Sequence, residues 1–173
     1  IMEVGPTRDR AFWDMPEQSP PPYNTELIAV WRTYAILHDR LADYSYKHAK
    51  AAQKTGMPLV RPLFLLYPEQ KEAWNDWQTY MYGDDILVSA IWRTGTKTHR
   101  LYLPDGCEWV DAWDGKVHQG GGYVEVDAPT YKMPIFLRNG SKVKLGDLNK
   151  LYEESLAIAA KKPNLAELQK TVK

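Results

Sequence analysis

Apolar side chains recur every three or four residues between Thr25 and Thr55, a spacing that places them on one face of an α-helix. Asn24 or Thr25 offers an N-cap, and Gly56 followed by Pro58 marks the end of the helix. We therefore predict one long helix in this range, with its apolar face packed on a large neighbouring surface. The residues of this face are Leu27, Val30, Trp31, Tyr34, Leu37, Leu41 and Tyr44.

After residue 85 the pattern changes to short runs rich in β-branched and aromatic residues. Turn dipeptides such as Asp105-Gly106 and Asn139-Gly140 separate these runs. Short strands at this spacing indicate an antiparallel sandwich rather than alternating strands and helices. The predicted strands cover residues 86–91, 99–103, 108–113, 123–126 and 134–138.

The two ends of the chain have patterns of their own. Residues 1–5 form a short apolar run, as at the end of a buried strand, and the prolines between Pro16 and Pro22 exclude regular structure from the loop that follows. From Leu145 the spacing is helical again until Pro163, and we expect this segment to cover a sandwich edge or to be loosely ordered. Its predicted apolar face contains Leu148, Leu151, Tyr152, Leu156, Ile158 and Ala159.

Composition narrows the classes of function. Lys plus Arg and Asp plus Glu number 22 each, so no net charge draws the chain to nucleic acid or to an anionic membrane, and we expect neither partner. No apolar run approaches the roughly 20 residues of a membrane span. The chain starts at Ile1, inside what reads as structured sequence, which suggests a truncated polypeptide.

Residue types used in metal and nucleophile chemistry lack the spacing that such sites need. His38 and His48 are too far apart on the predicted helix, at about 1.5 Å per residue, to share a metal ion. His99 and His118 have no cysteine or carboxylate at zinc-site spacing. Cys107 has no nucleophile motif around it and no second cysteine with which to form a disulfide. We therefore expect no metal site and no cofactor.

Structural roles are expected for most other notable residues. Asp84 and Asp85 are adjacent and would point in opposite directions on a strand, which does not suit paired acid–base chemistry. Trp109 and Trp113 lie four apart and would share the core face of one strand. The glycine run 120–122 follows no strand-to-helix turn, so we interpret it as a hairpin rather than a phosphate-binding loop.

Five motifs occur in order, at residues 56–63, 78–88, 102–115, 121–129 and 134–141. They resemble passages of the family 31 glycoside hydrolases: G-x-P-x-x-R-P-L, Q-Y-M-x-G-D-x-L-L-V-A-P, Y-L-P-x-G-x-x-W-x-D-x-W-x-G, G-G-x-x-x-x-V-x-A-P and P-x-F-x-R-x-G-S. Thr79 is an extra residue in the second motif, and the fourth motif is one residue shorter here. The resemblance covers roughly residues 1–141.

The resemblance implies a mixed fold in which the last strand, loop and helix of a (β/α)8 barrel are followed by an antiparallel β-sandwich and a helical tail. The expected domains are the C-terminal end of the barrel at 1–77, the sandwich at 78–144 and the tail at 145–173. Arg138, at the end of a predicted strand, is expected to be a buried or interface ion partner.

The resemblance also implies substrate contacts on the loop after the eighth barrel strand. Arg10 and Trp13 resemble the R-x-x-W element of that loop, and Glu3 lies near the position where the family often has a histidine. Glu3, Arg10 and Trp13 are therefore the expected substrate-binding residues. The alternative role for Glu3 is a salt bridge to Arg8 or Arg10 that holds the loop.

The implied function is a retaining hydrolase of α-linked sugars, in which one carboxylate attacks the anomeric carbon and a second protonates the leaving oxygen. In the family both are aspartates on earlier barrel strands, so no catalytic residue is expected in this chain, and the 173 residues alone are expected to be inactive. The expected partners are an α-linked oligosaccharide or glycoside and the remainder of the barrel.

Two alternatives remain open. Within the family, the protein could be an α-glucan lyase or act on α-xylosides or α-galactosides. In a different class, it could be a free-standing sugar-binding or structural module. Against the second alternative, the predicted helix by itself would expose several hundred Å² of apolar surface, which soluble monomers avoid.

Overall fold

The computed structural model of the chain describes residues 25–93 and 95–161. The expected barrel strand at 1–5 and the loop that follows it lie outside these residues. The chain divides into two compact units, one of Ile1–Leu37 with Asn149–Lys173 and the other of His38–Leu148.

All eight described strands belong to the unit His38–Leu148. They are β1 (Val60–Pro62), β2 (Thr79–Tyr82), β3 (Ile86–Ser89), β4 (Thr98–Leu103), β5 (Glu108–Asp111), β6 (Val117–Gln119), β7 (Gly122–Asp127) and β8 (Ile135–Arg138). A six-stranded sheet has the order β1-β2-β3-β8-β5-β6, and β4 pairs with β7 in a second sheet. Every described pairing is antiparallel. The five predicted strands are confirmed as β3, β4, β5, β7 and β8.

The core of this unit joins side chains from both sheets. Strand alternation directs Met81 of β2 and Leu101 of β4 inward, and the half-buried Val124 and Val126 of β7 pack against the same cluster. The short helices α3 (Leu63–Leu66) and α4 (Lys71–Asn75) also contribute to it. The buried residues of the cluster are Leu63, Tyr67, Ala73, Met81, Leu87, Leu101, Tyr102, Leu103, Trp109 and Phe136.

Trp109 and Trp113 are both buried, as predicted, but they do not share a strand. Strand β5 ends at Asp111, and Trp113 lies in the turn that follows. The carboxylate of Asp111 accepts a hydrogen bond from the Trp113 amide at 2.7 Å, and the Trp113 indole donates to the carbonyl of Met133 at 2.8 Å. The turn therefore ends the strand earlier than the sequence pattern indicates.

The predicted long helix is divided by a single residue. Helix α1 (Thr25–Arg40) and helix α2 (Ala42–Thr55) are separated at Leu41. The amide of Leu41 bonds the carbonyl of His38, three residues back, which is the tighter 3₁₀ arrangement. The predicted end of the helix is confirmed, because Gly56 follows α2 with φ of 72°.

In the unit of Ile1–Leu37 and Asn149–Lys173, the buried faces differ from the predicted ones. Along α1 the buried residues are Ala29, Thr33 and Leu37, while Trp31 is 47% exposed. Thr33 can be buried because its hydroxyl donates to the carbonyl of Ala29 at 2.8 Å. A pattern based on large apolar residues misses a face of this kind.

Helix α5 (Leu148–Ala160) also buries a small polar residue and exposes large apolar ones. Ser155 is fully buried and its hydroxyl donates to the carbonyl of Leu151 at 2.8 Å, whereas Leu156 and Ile158 are exposed. Arg32 of α1 donates to the Ser155 hydroxyl at 3.0 Å. Of the helices in the described ranges, none has the length and apolar character to cross a membrane.

The glycine run 120–122 is not a hairpin, because the strands on either side of it pair elsewhere. Strand β6 pairs with β5 and strand β7 pairs with β4, so the glycines carry the chain from one sheet to the other. In this crossing Gly121 donates a backbone hydrogen bond to the carbonyl of Leu103 at 2.8 Å, and Gly120 donates to the carbonyl of Cys107 at 3.1 Å.

We expect Gly120→Ala to lower the free energy of unfolding by about 2 kcal/mol, the typical cost of overpacking a filled site. A Cβ at Gly120 would collide with the backbone oxygens of Pro104 and Cys107, the second at 2.6 Å, and neither can rotate away as a side chain can. Gly122→Ala is the matched control, because nothing lies within 4 Å of its Cβ position. Urea denaturation of both variants tests this, and equal losses would contradict it.

Candidate functional site

The three residues assigned to substrate binding, Glu3, Arg10 and Trp13, lie outside the described residues. Their roles therefore stay predictions. The described part of the chain instead shows how two of the motifs, Arg61-Pro62-Leu63 and Gly83-Asp84-Asp85, are brought together.

The first contact between these motifs is an ion pair. Arg61 lies on β1 and is only 5% exposed, and its Nη1 is 2.5 Å from Oδ1 of Asp84, in the turn between β2 and β3. The Nε of Arg61 donates to the carbonyl of Pro58 at 2.6 Å. The antiparallel pairing of β1 with β2, in which Arg61 faces Met81, sets up this contact.

A tyrosine from α2 completes the arrangement, which we name the junction cluster (Tyr44, His48, Arg61, Asp84 and Asp85). The Tyr44 hydroxyl accepts hydrogen bonds from the amides of Asp84 and Asp85, each at 3.0 Å, and lies 3.1 Å from the carbonyl of Tyr82. Burial raises the pKa of Tyr44 to about 12, so the hydroxyl keeps its proton. The buried His48 ring packs on Tyr44, with centroids 4.5 Å apart.

The electrostatics of the junction cluster suit a structural ion pair rather than acid–base catalysis. Partial burial acts to raise the pKa of Asp84, but the hydrogen bond and charge of Arg61 outweigh it and hold that pKa below its ordinary value. A general acid at neutral pH requires the opposite shift. The cluster therefore attaches helix α2 to the turn between two strands.

Arg138 was expected to be a buried or interface ion partner, but it forms no ion pair within the described residues. Its guanidinium donates to the Tyr67 hydroxyl at 2.8 Å and to the Cys107 sulfur at 3.2 Å, and it lies 5.2 Å from the ring centroid of Trp109. The five donors of arginine can be satisfied by neutral acceptors, which explains the difference. Burial raises the pKa of Cys107, so the sulfur remains a thiol and is not activated as a nucleophile.

A serine and a histidine meet in a geometry that resembles a nucleophile–base pair. Ser89 Oγ is 2.8 Å from His99 Nε2, and also 2.8 Å from the hydroxyl of Thr79, which donates to Asp76 at 2.9 Å. Ser89 is fully buried, so no substrate can reach its hydroxyl. The chain of hydrogen bonds instead links β2 and β3 to β4 and so connects the two sheets. No sequence motif predicts this chain of hydrogen bonds.

We expect the free energy of unfolding to depend on pH through the protonation of His99. Burial lowers the pKa of His99, although the charge of Asp76 opposes this. The unfolded chain gains a proton at this residue near pH 6.5, about the ordinary value, while the folded chain gains it only at lower pH. Its contribution to stability is thus fully present above that pH and is lost as the pH falls further.

We predict that His99→Gln reduces the decline in unfolding free energy between about pH 7 and about pH 5, by at most about 1.4 kcal/mol per pH unit. Urea denaturation at several pH values measures the slope. His38→Gln, at an exposed histidine, is the control and should keep the wild-type slope. An unchanged slope in His99→Gln would show that the histidine is not the titrating group.

No group of three or more His, Cys, Asp or Glu side chains that could hold a metal ion occurs in residues 25–93 and 95–161. The candidate site within these residues is the junction cluster, which joins helix α2 to the six-stranded sheet.

Comparison with known proteins identifies the protein family in which the junction cluster occurs. The profile of a protein family described as "Glycosyl hydrolase family 31 C-terminal domain" matches residues 56–143, a range that includes strands β1 to β8. The chain belongs to glycoside hydrolase family 31. The resemblance drawn from the five motifs is thus confirmed, and within the family the eight strands form its C-terminal domain.

Several family 31 relatives match over most of this chain. The sulfoquinovosidase of Agrobacterium fabrum is 36% identical over 115 residues, which are 66% of this chain and 17% of that protein. Alpha-glucosidase 2 of Bacillus thermoamyloliquefaciens is 31% identical over 136 residues, 79% of this chain and 17% of that protein.

A solved structure in the family has the same fold over this region. The cycloalternan-degrading enzyme from Trueperella pyogenes, in complex with a covalent intermediate, superposes with a TM-score of 0.69 at 32% identity. The match covers 80% of this chain and 18% of that enzyme. The same enzyme has also been solved with isomaltose. This family 31 chain therefore spans less than a fifth of the length of these relatives.

Proposed function

We propose that the chain is the C-terminal part of an enzyme that hydrolyses α-linked glycosidic bonds. The observation that carries this proposal is the family 31 match over all eight strands, together with relatives named for the hydrolysis of α-glycosides. The isomaltose bound in the Trueperella enzyme supports an α-linked oligosaccharide as the ligand class.

The proposed reaction proceeds with retention of configuration. An aspartate carboxylate attacks the anomeric carbon while a second aspartate gives its proton to the departing glycosidic oxygen. Water, deprotonated by the second aspartate, then releases the sugar from the covalent intermediate. The covalent intermediate in the Trueperella enzyme supports a route that passes through a covalent intermediate. We place both aspartates in a barrel that precedes this chain.

Within that enzyme, we assign residues 1–77 to the end of the barrel, 78–144 to the sandwich and 145–173 to a helical tail. The junction cluster favours a buttressing role for the sandwich, because Tyr44 joins helix α2, and Arg61 joins strand β1, to the turn at Asp84. Glu3, Arg10 and Trp13 would then form one wall of the sugar pocket, with Glu3 accepting hydrogen bonds from sugar hydroxyls.

The test compares the 173-residue chain with the protein expressed from its native source. We expect an intact mass several times 19.9 kDa for the native protein, release of nitrophenol from nitrophenyl α-glycosides by that protein, and no release by the chain alone. Glucosides, xylosides and galactosides should be compared. Proton NMR of the first product distinguishes a retained α-anomer from an unsaturated anhydro sugar, which would mark a lyase.

Substitutions then test the three predicted contacts. Glu3→Gln, Arg10→Ala and Trp13→Ala, made in the full-length enzyme, should lower kcat/KM about tenfold or more if each contacts the sugar. If Glu3 only pairs with an arginine of the loop, Glu3→Gln should lower thermal stability and leave kcat/KM almost unchanged. A native mass near 19.9 kDa would overturn the hydrolase and favour a free-standing module.

A further inference from the structure

A cavity of about 430 Å³ lies at one end of the unit His38–Leu148. It is lined by Gln78, which precedes β2, by Ile91, Trp92 and Arg93, which follow β3, and by Thr98 and Arg100 at the start of β4. Its volume falls in the range of about 300–1,000 Å³ that is typical of small-molecule sites.

Two exposed tryptophans stand at this cavity. Trp92 lines it and is 57% exposed, and Trp77, next to the lining residue Gln78, is 71% exposed. Their ring centroids are 5.8 Å apart with the planes inclined at 44°. The two indoles therefore form an angled aromatic wall that remains open to solvent.

The polar side chains around the wall are available to a ligand. Across the described residues, the side chains of Gln78, Arg93 and Arg100 make no hydrogen bond to protein groups. The guanidinium of Arg93 lies 4.7 Å from the Trp92 ring centroid, and that of Arg100 lies 4.1 Å from the ring of Tyr123. Stacking on a ring restricts a guanidinium without consuming its N–H donors.

The position of the cavity separates it from the junction cluster. Strand β2 runs from the residue after Gln78 to Tyr82, which lies beside Tyr44. At about 3.3 Å per residue, Gln78 and Tyr82 are about 13 Å apart along the strand.

We propose that this cavity is a carbohydrate-binding site, which takes a neutral α-linked gluco-oligosaccharide. A pyranose presents an apolar C–H face and a rim of hydroxyls. The face would stack on Trp77 and Trp92, and the hydroxyls would bond Gln78, Thr98 and Arg100. The proposal goes beyond the hydrolase assignment, and its choice of an α-linked gluco-oligosaccharide as the occupant rests on that proposed function.

The contrast with another exposed aromatic pair favours a sugar over a packed protein surface. Phe64 and Trp74 stack at 4.8 Å, and the adjacent Leu65 is exposed too, so this patch is apolar. The indole of Trp74 already donates to the carbonyl of Pro68 at 2.9 Å. The indoles of Trp77 and Trp92 donate to no residue in the described ranges, so they can bond a hydroxyl as well as stack.

Isothermal titration of the 173-residue chain with maltotriose and with isomaltotriose tests the proposal. We expect saturable binding of at least one of them in the millimolar range, weakened about tenfold or more by Trp92→Ala and by Trp77→Ala. Trp74→Ala is the matched control, since this tryptophan is 58% exposed, and it should bind as the wild type does. Circular dichroism confirms that each variant is folded.

A second measurement covers the case in which the chain alone aggregates. In the full-length enzyme, Trp92→Ala should weaken retention in a native gel containing dextran or amylopectin and leave hydrolysis of a nitrophenyl α-glycoside unchanged. Absence of binding by the wild type in both assays, or equal loss in Trp74→Ala, would overturn the proposal. So would displacement of the sugar by equimolar sulfate, because that would indicate an anion site.

Discussion

Trp109→Ala is expected to lower the free energy of unfolding by about 3–5 kcal/mol, the range for removing a large aromatic side chain from a core. Trp109 on β5 is fully buried and belongs to the same cluster as Phe136 and Leu101. Its indole donates to the carbonyl of Pro104 at 2.9 Å, so the substitution also leaves a buried acceptor without its donor. Because small domains are stable by only about 5–15 kcal/mol, the variant should be close to unfolding.

Two further variants separate the causes. Trp109→Phe keeps most of the ring volume and removes the N–H, so it should lose only about 1–2 kcal/mol of stability. Trp74→Ala removes a tryptophan that is 58% exposed and should change stability little. Urea denaturation followed by far-UV circular dichroism is the appropriate measurement, because the change in tryptophan content alters the fluorescence. Similar midpoints for Trp109→Ala and Trp74→Ala would refute the assigned core.

Asp84→Ala is the second large effect that we expect, with a loss of about 2–3 kcal/mol. The cost arises at Arg61, which is 5% exposed and would keep a charge without its carboxylate partner. Breaking a fully buried pair costs about 3–5 kcal/mol, and the value here is smaller because the Asp84 side chain is 69% exposed. Thermal and urea denaturation at neutral pH measure this loss.

The pH dependence of the same variant provides an independent check. Because the folded-state pKa of Asp84 is lowered, its stabilising effect is present above the ordinary aspartate value of about 3.9 and is lost as the pH falls through the folded value. The difference between wild type and Asp84→Ala should therefore shrink in acid. Lys116→Ala, which breaks the exposed pair with Asp114, is the control and should show no measurable change at neutral pH.

The sequence predicts those parts of the fold that depend on local patterns. Strands β3, β4, β5, β7 and β8 combine apolar or β-branched runs with flanking turn dipeptides, and all five are confirmed. Strands β1, β2 and β6 have three or four residues each and exist through pairing with their neighbours, which a local pattern does not contain. The 3₁₀ bond at Leu41 is likewise invisible to a periodicity of three to four.

The candidate site is less accessible to sequence reasoning, because its contacts join distant positions. Arg61 and Asp84 are 23 residues apart, and Tyr44 and Asp84 are 40 apart. The motifs marked two of these residues as notable but could not show that they bond each other. No spacing rule predicts that the rings of Trp77 and Trp92 lie side by side. Only the turn of the chain between β2 and β3 brings their rings together.

The contacts of α2 have a practical consequence for shortening the protein. A version starting at Gly56, where the family profile begins, would lack Tyr44. The hydroxyl of Tyr44 accepts hydrogen bonds from the amides of Asp84 and Asp85. This version would also lack Arg40, whose guanidinium donates to the carbonyl of Leu145 at 2.6 Å. A shortened version should therefore extend beyond the matched profile at both ends, from about residue 38 to about residue 148, to keep these contacts.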